Sequence, residues 1–387
     1  MTSLVVYDLA SSTPRKLLPR LIMVKIIPEP NLPSLSLLFS SPFVFIRQIY
    51  VFLAYWVNNI RTGHVGHPCV IRPTGQIVRE QQPRAVKLRN LLLFSSPLEV
   101  IDTTQTFRFH LHHNADVAGV YERSPESKKE IRPFIKWFKI KMDEFEPSDP
   151  DAYPSFNDFF IRKFKEGARP LAAPDDQRVI ISPAESRIVA YSSIEQTQKF
   201  WIKGHHFSIV SLLGARPDAD RDPSASAQER TACQLARLWS SGGVAVHRLS
   251  PQDYHHYHSP VSGGVTYVHH IPGDYYGVDP LCINSSISVL DSNARTVVVI
   301  ETRDFGRVLF VAIGASEVGS VDIKLQPGDY LRRGDEVGKF MYGGSSILVA
   351  FEEGRIEWDE DIQEASLRGL MMDVRVKEKV GLYAMKD

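Results

Sequence analysis

Three short segments of this chain carry side chains that could do chemistry. Phe340-Met341-Tyr342-Gly343-Gly344-Ser345-Ser346-Ile347-Leu348-Val349 sets a serine hydroxyl behind two glycines and ahead of an apolar run. Taken alone it reads as a Gly-Gly turn before a strand. Leu249-Ser250-Pro251-Gln252-Asp253-Tyr254-His255-His256-Tyr257-His258-Ser259-Pro260 places three histidines within four residues. An imidazole suits proton transfer near neutral pH because its unperturbed pKa is about 6.5. In an extended segment His256 and His258 share one face and His255 takes the other. A metal site finds weak support, since no cysteine is near and Asp253 is the only close carboxylate; a solvated polar loop is the plainer reading. Ile181-Ser182-Pro183-Ala184-Glu185-Ser186-Arg187-Ile188 puts the Glu185 carboxylate at the end of an apolar strand, where on its own it reads as a surface residue.

The elements that must position these groups fall into three zones. Residues 1–115 are the least regular. Within them 43–57 is apolar except for Arg47 and Gln48, shorter than the ~20 residues of a bilayer span. A helix lying in a membrane interface, with Tyr50, Tyr55 and Trp56 at the boundary, and a helix buried against the protein are both open. Residues 60–115 show no period, and His110, His112 and His113 have no metal-type spacing. Residues 116–175 read as helical: 128–144 is amphipathic, Asp149-Pro150 and Tyr153-Pro154 interrupt it, and Ser155 caps a short helix holding Phe156, Phe159 and Phe160. Arg162, Lys163, Lys165 and Arg169 then face either lipid phosphates or solvent. Residues 176–387 read mainly as strands, at 179–181, 188–191, 244–249, 264–268, 296–301, 308–313 and 347–351. A helix is expected over 225–239, a surface loop over 216–228, and tight turns at Pro327-Gly328-Asp329 and Arg333-Gly334-Asp335.

Composition narrows the function classes. A chain of 387 residues has room for two or three domains. With 45 basic and 45 acidic residues the net charge is zero, which argues against nucleic acid as a partner held by global charge. Cys69, Cys233 and Cys282 are scattered and read as reduced, structural thiols in a non-secretory compartment. The start of the chain shows no clean secretory signal. Its basic residues Arg15, Lys16, Arg20 and Lys25 are a weak sign of organelle targeting.

In this order and at this spacing the motifs resemble those of the phosphatidylserine decarboxylases, pyruvoyl enzymes that process themselves. The resemblance covers roughly residues 116–387. It rests on Phe156-Asn157-Asp158-Phe159-Phe160 with Arg162-Lys163 and Ala168-Arg169-Pro170, on Trp201-Ile202-Lys203-Gly204, and on Leu212-Leu213-Gly214. It rests also on Asp253, Tyr254, His255, His258 and Pro260 of a DYH-x-x-H-x-P pattern, on Gly334-Asp335-Glu336-Val337-Gly338, and on the GGSS run ending at Ser346. It implies an α/β (α+β) fold with a β-rich catalytic core and N-terminal helices, and a poorly defined region over 1–115 before a catalytic domain over 116–387.

The resemblance implies cleavage between Gly344 and Ser345, with Ser345 becoming the pyruvoyl cofactor. His258 is the implied base, Glu185 the acid that orients it, and Tyr254 and His255 substrate-binding residues; no metal is expected. The implied activity is decarboxylation of phosphatidylserine to phosphatidylethanolamine. The implied partners are phosphatidylserine in a membrane, the two fragments of the chain, and a second copy in a homodimer. The implied place is intracellular, peripheral to a membrane. The sequence departs from the family in three places. Glu185 stands where an Asp is usual, His256 where an Arg is usual, and Ser316-Glu317 where the lipid enzymes are apolar. Glu185 and Ser316-Glu317 keep open a decarboxylase of a free aromatic amino acid on the same fold, and Glu185 with the irregular region 1–115 keeps open an unprocessed protein that binds lipid or a partner.

Overall fold

The computed structural model describes residues 66–82, 105–200, 208–278, 283, 288–317 and 320–384, together with Val44, Ile46, Arg47, Ile49, Tyr50, Leu53 and Val57. Its centre is a ten-stranded sheet. In spatial order the strands are Tyr330–Leu331, Gly263–Ile271, Arg295–Glu301, Arg307–Glu317, Gly343–Ala350, Val244–Leu249, Ser186–Tyr191, Met371–Val374, Pro68–Ile71 and Gln76–Arg79. Every neighbouring pair is antiparallel except Pro68–Ile71 with Met371–Val374. Strand Arg295–Glu301 is β-branched from Thr296 to Ile300, as suits a strand covered on both faces. Val297, Val298, Val299 and Ile300 are all fully buried.

Alternation sorts these strands into two cores. Val189, Val244, Val246, Leu309, Val311, Leu348 and Ala350 lie on one face, under Trp239, Cys233 and Leu212. Ile188, Ala190, Ala245, Leu249, Phe310, Ala312, Ile347 and Val349 lie on the other, with Tyr257 and Phe340. Burying one such side chain stabilises by about 1.5–3 kcal/mol. The second core is closed by two three-stranded sheets, Val321–Ile323/Glu336–Phe340/His256–His258 and Ile356–Trp358/Lys379–Tyr383/Val179–Ile181.

The expected α+β architecture with a β-rich core is what the chain adopts. Ser155 caps helix Phe156–Phe160 through a bond accepted from Asp158 N. Ser226 and Glu229 form a capping box at helix Ala227–Ala236, which a 3-10 turn extends to Trp239. Two expectations change. The segment 128–144 is not one helix: helix Ile131–Phe138 stops at Lys139, whose left-handed backbone (φ 56°) ends it. The span 60–115, expected to lack elements, holds hairpin Pro68–Ile71/Gln76–Arg79 and the start of helix Gln105–Glu122.

Within 43–57 the described residues are helical, and Ile46, Tyr50, Leu53 and Val57 are exposed. No helix among the described residues is long and apolar enough to cross a membrane. Cys69 and Cys233 are free and buried. Trp201 to Gly204 and Cys282 lie outside the described residues.

Candidate active site around Ser345

Ser345 sits in the middle of the large sheet. Its strand is laddered on both sides, with Ser345 opposite Leu249 on one neighbour and Gly314 on the other. Just before it the register slips: Gly314 faces Ser345, but Gly343 faces Glu317. Such a bulge re-aims the local backbone. Gly343 has φ 140°, open to glycine and strained for other residues. Ser345 is fully buried, and its Oγ, like that of Ser346, has no hydrogen-bond partner among the described residues. A hydroxyl left so loses its water without replacement, and such atoms are few in folded chains. By alternation Ser345 shares the face of Ile347 and Val349, whereas Ser346 turns to the opposite face.

The histidine segment is wired by polar contacts, each ring differently. His258 accepts or donates at two places: Nδ1 donates to Gly334 O at 2.9 Å, and the Tyr254 hydroxyl donates to Nε2 at 3.4 Å. Burial, helped by Lys377, pushes its pKa down to about 4. At neutral pH it is therefore an uncharged base. His255 is fully buried, donates from Nδ1 to Asp253 O at 3.0 Å, and lies 4.0 Å from the Phe160 ring. Its Nε2 is buried with no partner, and burial pushes its pKa down to about 3. His256 meets Glu336 Oε1 at 2.8 Å and Ile161 O at 2.8 Å. That bond to His256 pulls the Glu336 carboxyl down to about 2.

Tyr254, His256 and His258 stack as one row of rings, 5.1 and 5.9 Å from Tyr254. Tyr257 points the other way, onto Phe310 and Phe340 in the second core. The two chemical segments are stitched together. Phe340 N donates to His255 O at 2.9 Å. The Tyr342 ring lies 5.1 Å from both Phe156 and Phe160, and Phe160 covers His255. The FNDFF helix thus spans from the histidines to the residues just before Ser345.

Glu185 reaches the same corner, for His258 N donates to Pro183 O at 2.8 Å. Its carboxylate, however, holds other groups. It accepts from Arg169 Nη2 at 2.7 Å and Nε at 3.0 Å, and from Val376 N at 2.7 Å. No hydrogen bond joins it to His258. Burial raises its pKa. Arg169 also pairs with Glu144 at 2.8 Å and lies over the Phe164 ring at 4.0 Å.

The structure corrects the expectation that Arg162 and Arg169 face lipid or solvent. Arg162 is 2% exposed, sandwiched between the Phe145 and Phe159 rings at 4.5 and 4.7 Å, and donates to Gln252 O at 2.6 Å. Lys163 and Lys165 are the exposed pair. Sequence reasoning also missed His247, fully buried with Nδ1 3.0 Å from Ser186 Oγ, and pushed by burial down to about 3. Its place inside a β-branched strand was the available signal.

A family model described as phosphatidylserine decarboxylase matches residues 156–381. The chain belongs to the phosphatidylserine decarboxylase family. It is 35% identical over 319 residues to phosphatidylserine decarboxylase proenzyme 3 of Schizosaccharomyces pombe, covering 80% of this chain and 30% of that one. It is 36% identical over 315 residues to phosphatidylserine decarboxylase proenzyme 2 of Oryza sativa subsp. japonica, covering 80% and 47%. With the phosphatidylserine decarboxylase proenzyme of Chlamydia muridarum the identity is 34% over 265 residues, covering 68% and 81%. The chain therefore spans less than half the length of these fungal and plant relatives and most of the chlamydial one. The phosphatidylserine decarboxylase match begins at the FNDFF helix and takes in the histidine segment and the Ser345 strand.

Proposed function

We propose that this chain breaks itself between Gly344 and Ser345, and that the resulting pyruvoyl enzyme converts phosphatidylserine to phosphatidylethanolamine and carbon dioxide. The observation that carries the reading is the place of Ser345 directly behind a bulge and two glycines, with its buried Oγ unpartnered among the described residues. Ser345 Oγ attacks the Gly344 carbonyl carbon, the peptide nitrogen leaves, and the peptide becomes an ester. His258, uncharged at neutral pH, takes the hydroxyl proton. Loss of the Cα proton of residue 345 expels the Gly344 carboxylate. Water then replaces the nitrogen at residue 345, which departs as ammonia. The fragments are residues 1–344 and 345–387.

The surroundings of Ser345 fit a small ketone-bearing group, because no polar group among the described residues bonds to its side chain. When formed, that group supplies the electron sink for loss of carbon dioxide. The chain's own residues do the rest. His258 is assigned proton return to the substrate carbon, and His255 and Tyr254 are assigned to hold the substrate. His255 suits that task because Nδ1 is fixed by Asp253 O, which leaves Nε2 as a free acceptor. Glu185 is assigned to orient His258, which requires its carboxylate to exchange Arg169 for the imidazole. A lipid substrate brings the enzyme to a membrane surface, with the exposed apolar residues between Val44 and Val57 as a contact, and the family resemblance supports a homodimer.

Intact-mass spectrometry tests the reading. The expected result is two fragments, with 345–387 lighter by ammonia than a hydrolysed fragment. An unbroken chain with an ordinary Ser345 overturns it. Carbon dioxide release from phosphatidylserine, set beside free aromatic amino acids, fixes the substrate.

A further inference from the structure

The hairpin Pro68–Ile71/Gln76–Arg79 lies outside the span that the family model matches. Its inner strand pairs with Met371–Val374, Cys69 opposite Met371 and Ile71 opposite Asp373. Arg72, at the turn, is 13% exposed and surrounded by acceptors. Its Nε and Nη2 grip Asp361 at 2.8 and 3.1 Å, Nη2 also meets Asp359 at 2.7 Å, and Nη1 meets Glu378 at 3.2 Å and Lys379 O at 2.5 Å. All of these partners follow Ser345 in the chain. At the hairpin's far end the buried Glu80 pairs with Arg187 at 2.9 Å and with Arg248, and accepts from Ser250 Oγ at 2.9 Å. All of those partners precede Gly344.

We propose that this hairpin is a latch whose partner is the chain's own C-terminal segment, held in place after scission. The inference rests on the processing reading above. Once the 344–345 bond is broken, strand Gly343–Ala350 keeps its two ladders, but without the hairpin Met371–Val374 would have only Ser186–Tyr191 beside it. The hairpin covers that open edge. Arg72 then supplies the charge that gathers Asp359, Asp361 and Glu378. Without it, three close carboxylates face one another, with Lys379, which pairs with Asp359, as the remaining cation among the described residues. Glu80 anchors the latch to the large fragment by two buried arginines.

The test uses the full processed chain. Parent and Arg72→Ala are passed through size exclusion over a urea series, and retention of fragment 345–387 is read on denaturing gels. Arg72→Ala is expected to release the fragment at lower urea, its binding loosened about tenfold or more. Arg132→Ala, which removes the exposed pair with Asp151, is expected to match the parent. Asp361→Asn, milder because it keeps the side chain's size and removes only its charge, is expected to shift release in the same direction and serves if Arg72→Ala does not fold. Identical release from parent, Arg72→Ala and Asp361→Asn overturns the latch while leaving processing intact. A parent chain that never breaks overturns the processing reading, and the latch with it.

Discussion

The strand that carries Ser345 and the segment that carries the histidines are held by opposite means. Ser345 stands in a two-sided backbone ladder among fully buried Ile347, Leu348 and Val349, and among the described residues no group bonds to its hydroxyl. The histidine segment has a short ladder, His256–His258, and depends on individual polar contacts: Gly334 O, Asp253 O, Glu336, Ile161 O, and the buried Arg162 behind them. The difference teaches that the bond to be broken is held by generic sheet and apolar burial. The groups that act on it are held by specific polar contacts, most of them to backbone carbonyls. Substitutions in the two regions should therefore fail in different ways.

The largest effect on chemistry should come from Ser345→Ala. Scission is expected to stop, leaving one full-length band, and the unbroken chain is expected to lose no stability, since the lost hydroxyl makes no bond and its burial is a cost. Denaturing gels and urea unfolding read the two quantities. A large stability loss would break the contrast. Arg162→Ala should behave in the reverse manner. It removes a guanidinium stacked between Phe145 and Phe159 and leaves the Gln252 carbonyl without its donor, for a loss of about 2–4 kcal/mol. Arg162 touches no reacting atom, so activity of the folded fraction should fall through misplacement of His255. Arg162→Lys should recover part of it.

This contrast also sets what could be read from the sequence. Strand Gly343–Ala350 and its neighbours announce themselves as β-branched runs broken by glycine, and the order of motifs pointed to Ser345. The partners of the histidines did not show. Arg162 looks like one cation in a basic surface run, yet a full turn of Phe156, Phe159 and Phe160 draws it inward. The Pro68–Arg79 hairpin was invisible because its strands are four residues each, with Gln76–Arg79 exposed on alternate positions. Their stability comes from Arg72 and Glu80, whose partners lie more than a hundred residues away. Short elements held by long-range charge leave no period to read.

Glu185 tests where the two regions meet. Its carboxylate serves Arg169 and Val376 N–H, while the proposal asks it to serve His258. Glu185→Ala should slow scission about tenfold, in keeping with the sensitivity of such sites to small displacements. Glu185→Gln keeps an acceptor for Arg169 and Val376 but loses the charge. If Gln slows scission as Ala does, charge toward the imidazole is what matters. If Gln matches the parent, Glu185 is a structural clamp and the proposed role fails.

The acid response tests the histidines themselves. His258 is pushed down to about 4, and His247 and His255 to about 3, all by burial. Each has a folded pKa below the unfolded value of about 6.5. Below that pH the unfolded chain binds protons that the folded chain refuses. Their contribution is thus fully present above pH ~6.5 and is lost as pH falls towards 4 and then 3. Each such histidine adds about 1.4 kcal/mol per pH unit to the slope in that window. His247→Phe should lower the slope of unfolding free energy between pH 6 and 5, read by urea melts, by about one proton. Scission by freshly synthesised chain should stay level down to about pH 5 and fall with a midpoint near 4, because it needs His258 uncharged. A midpoint near 6.5 would mean that His258 titrates as if in water, and the buried, wired histidine on which the comparison turns would be lost.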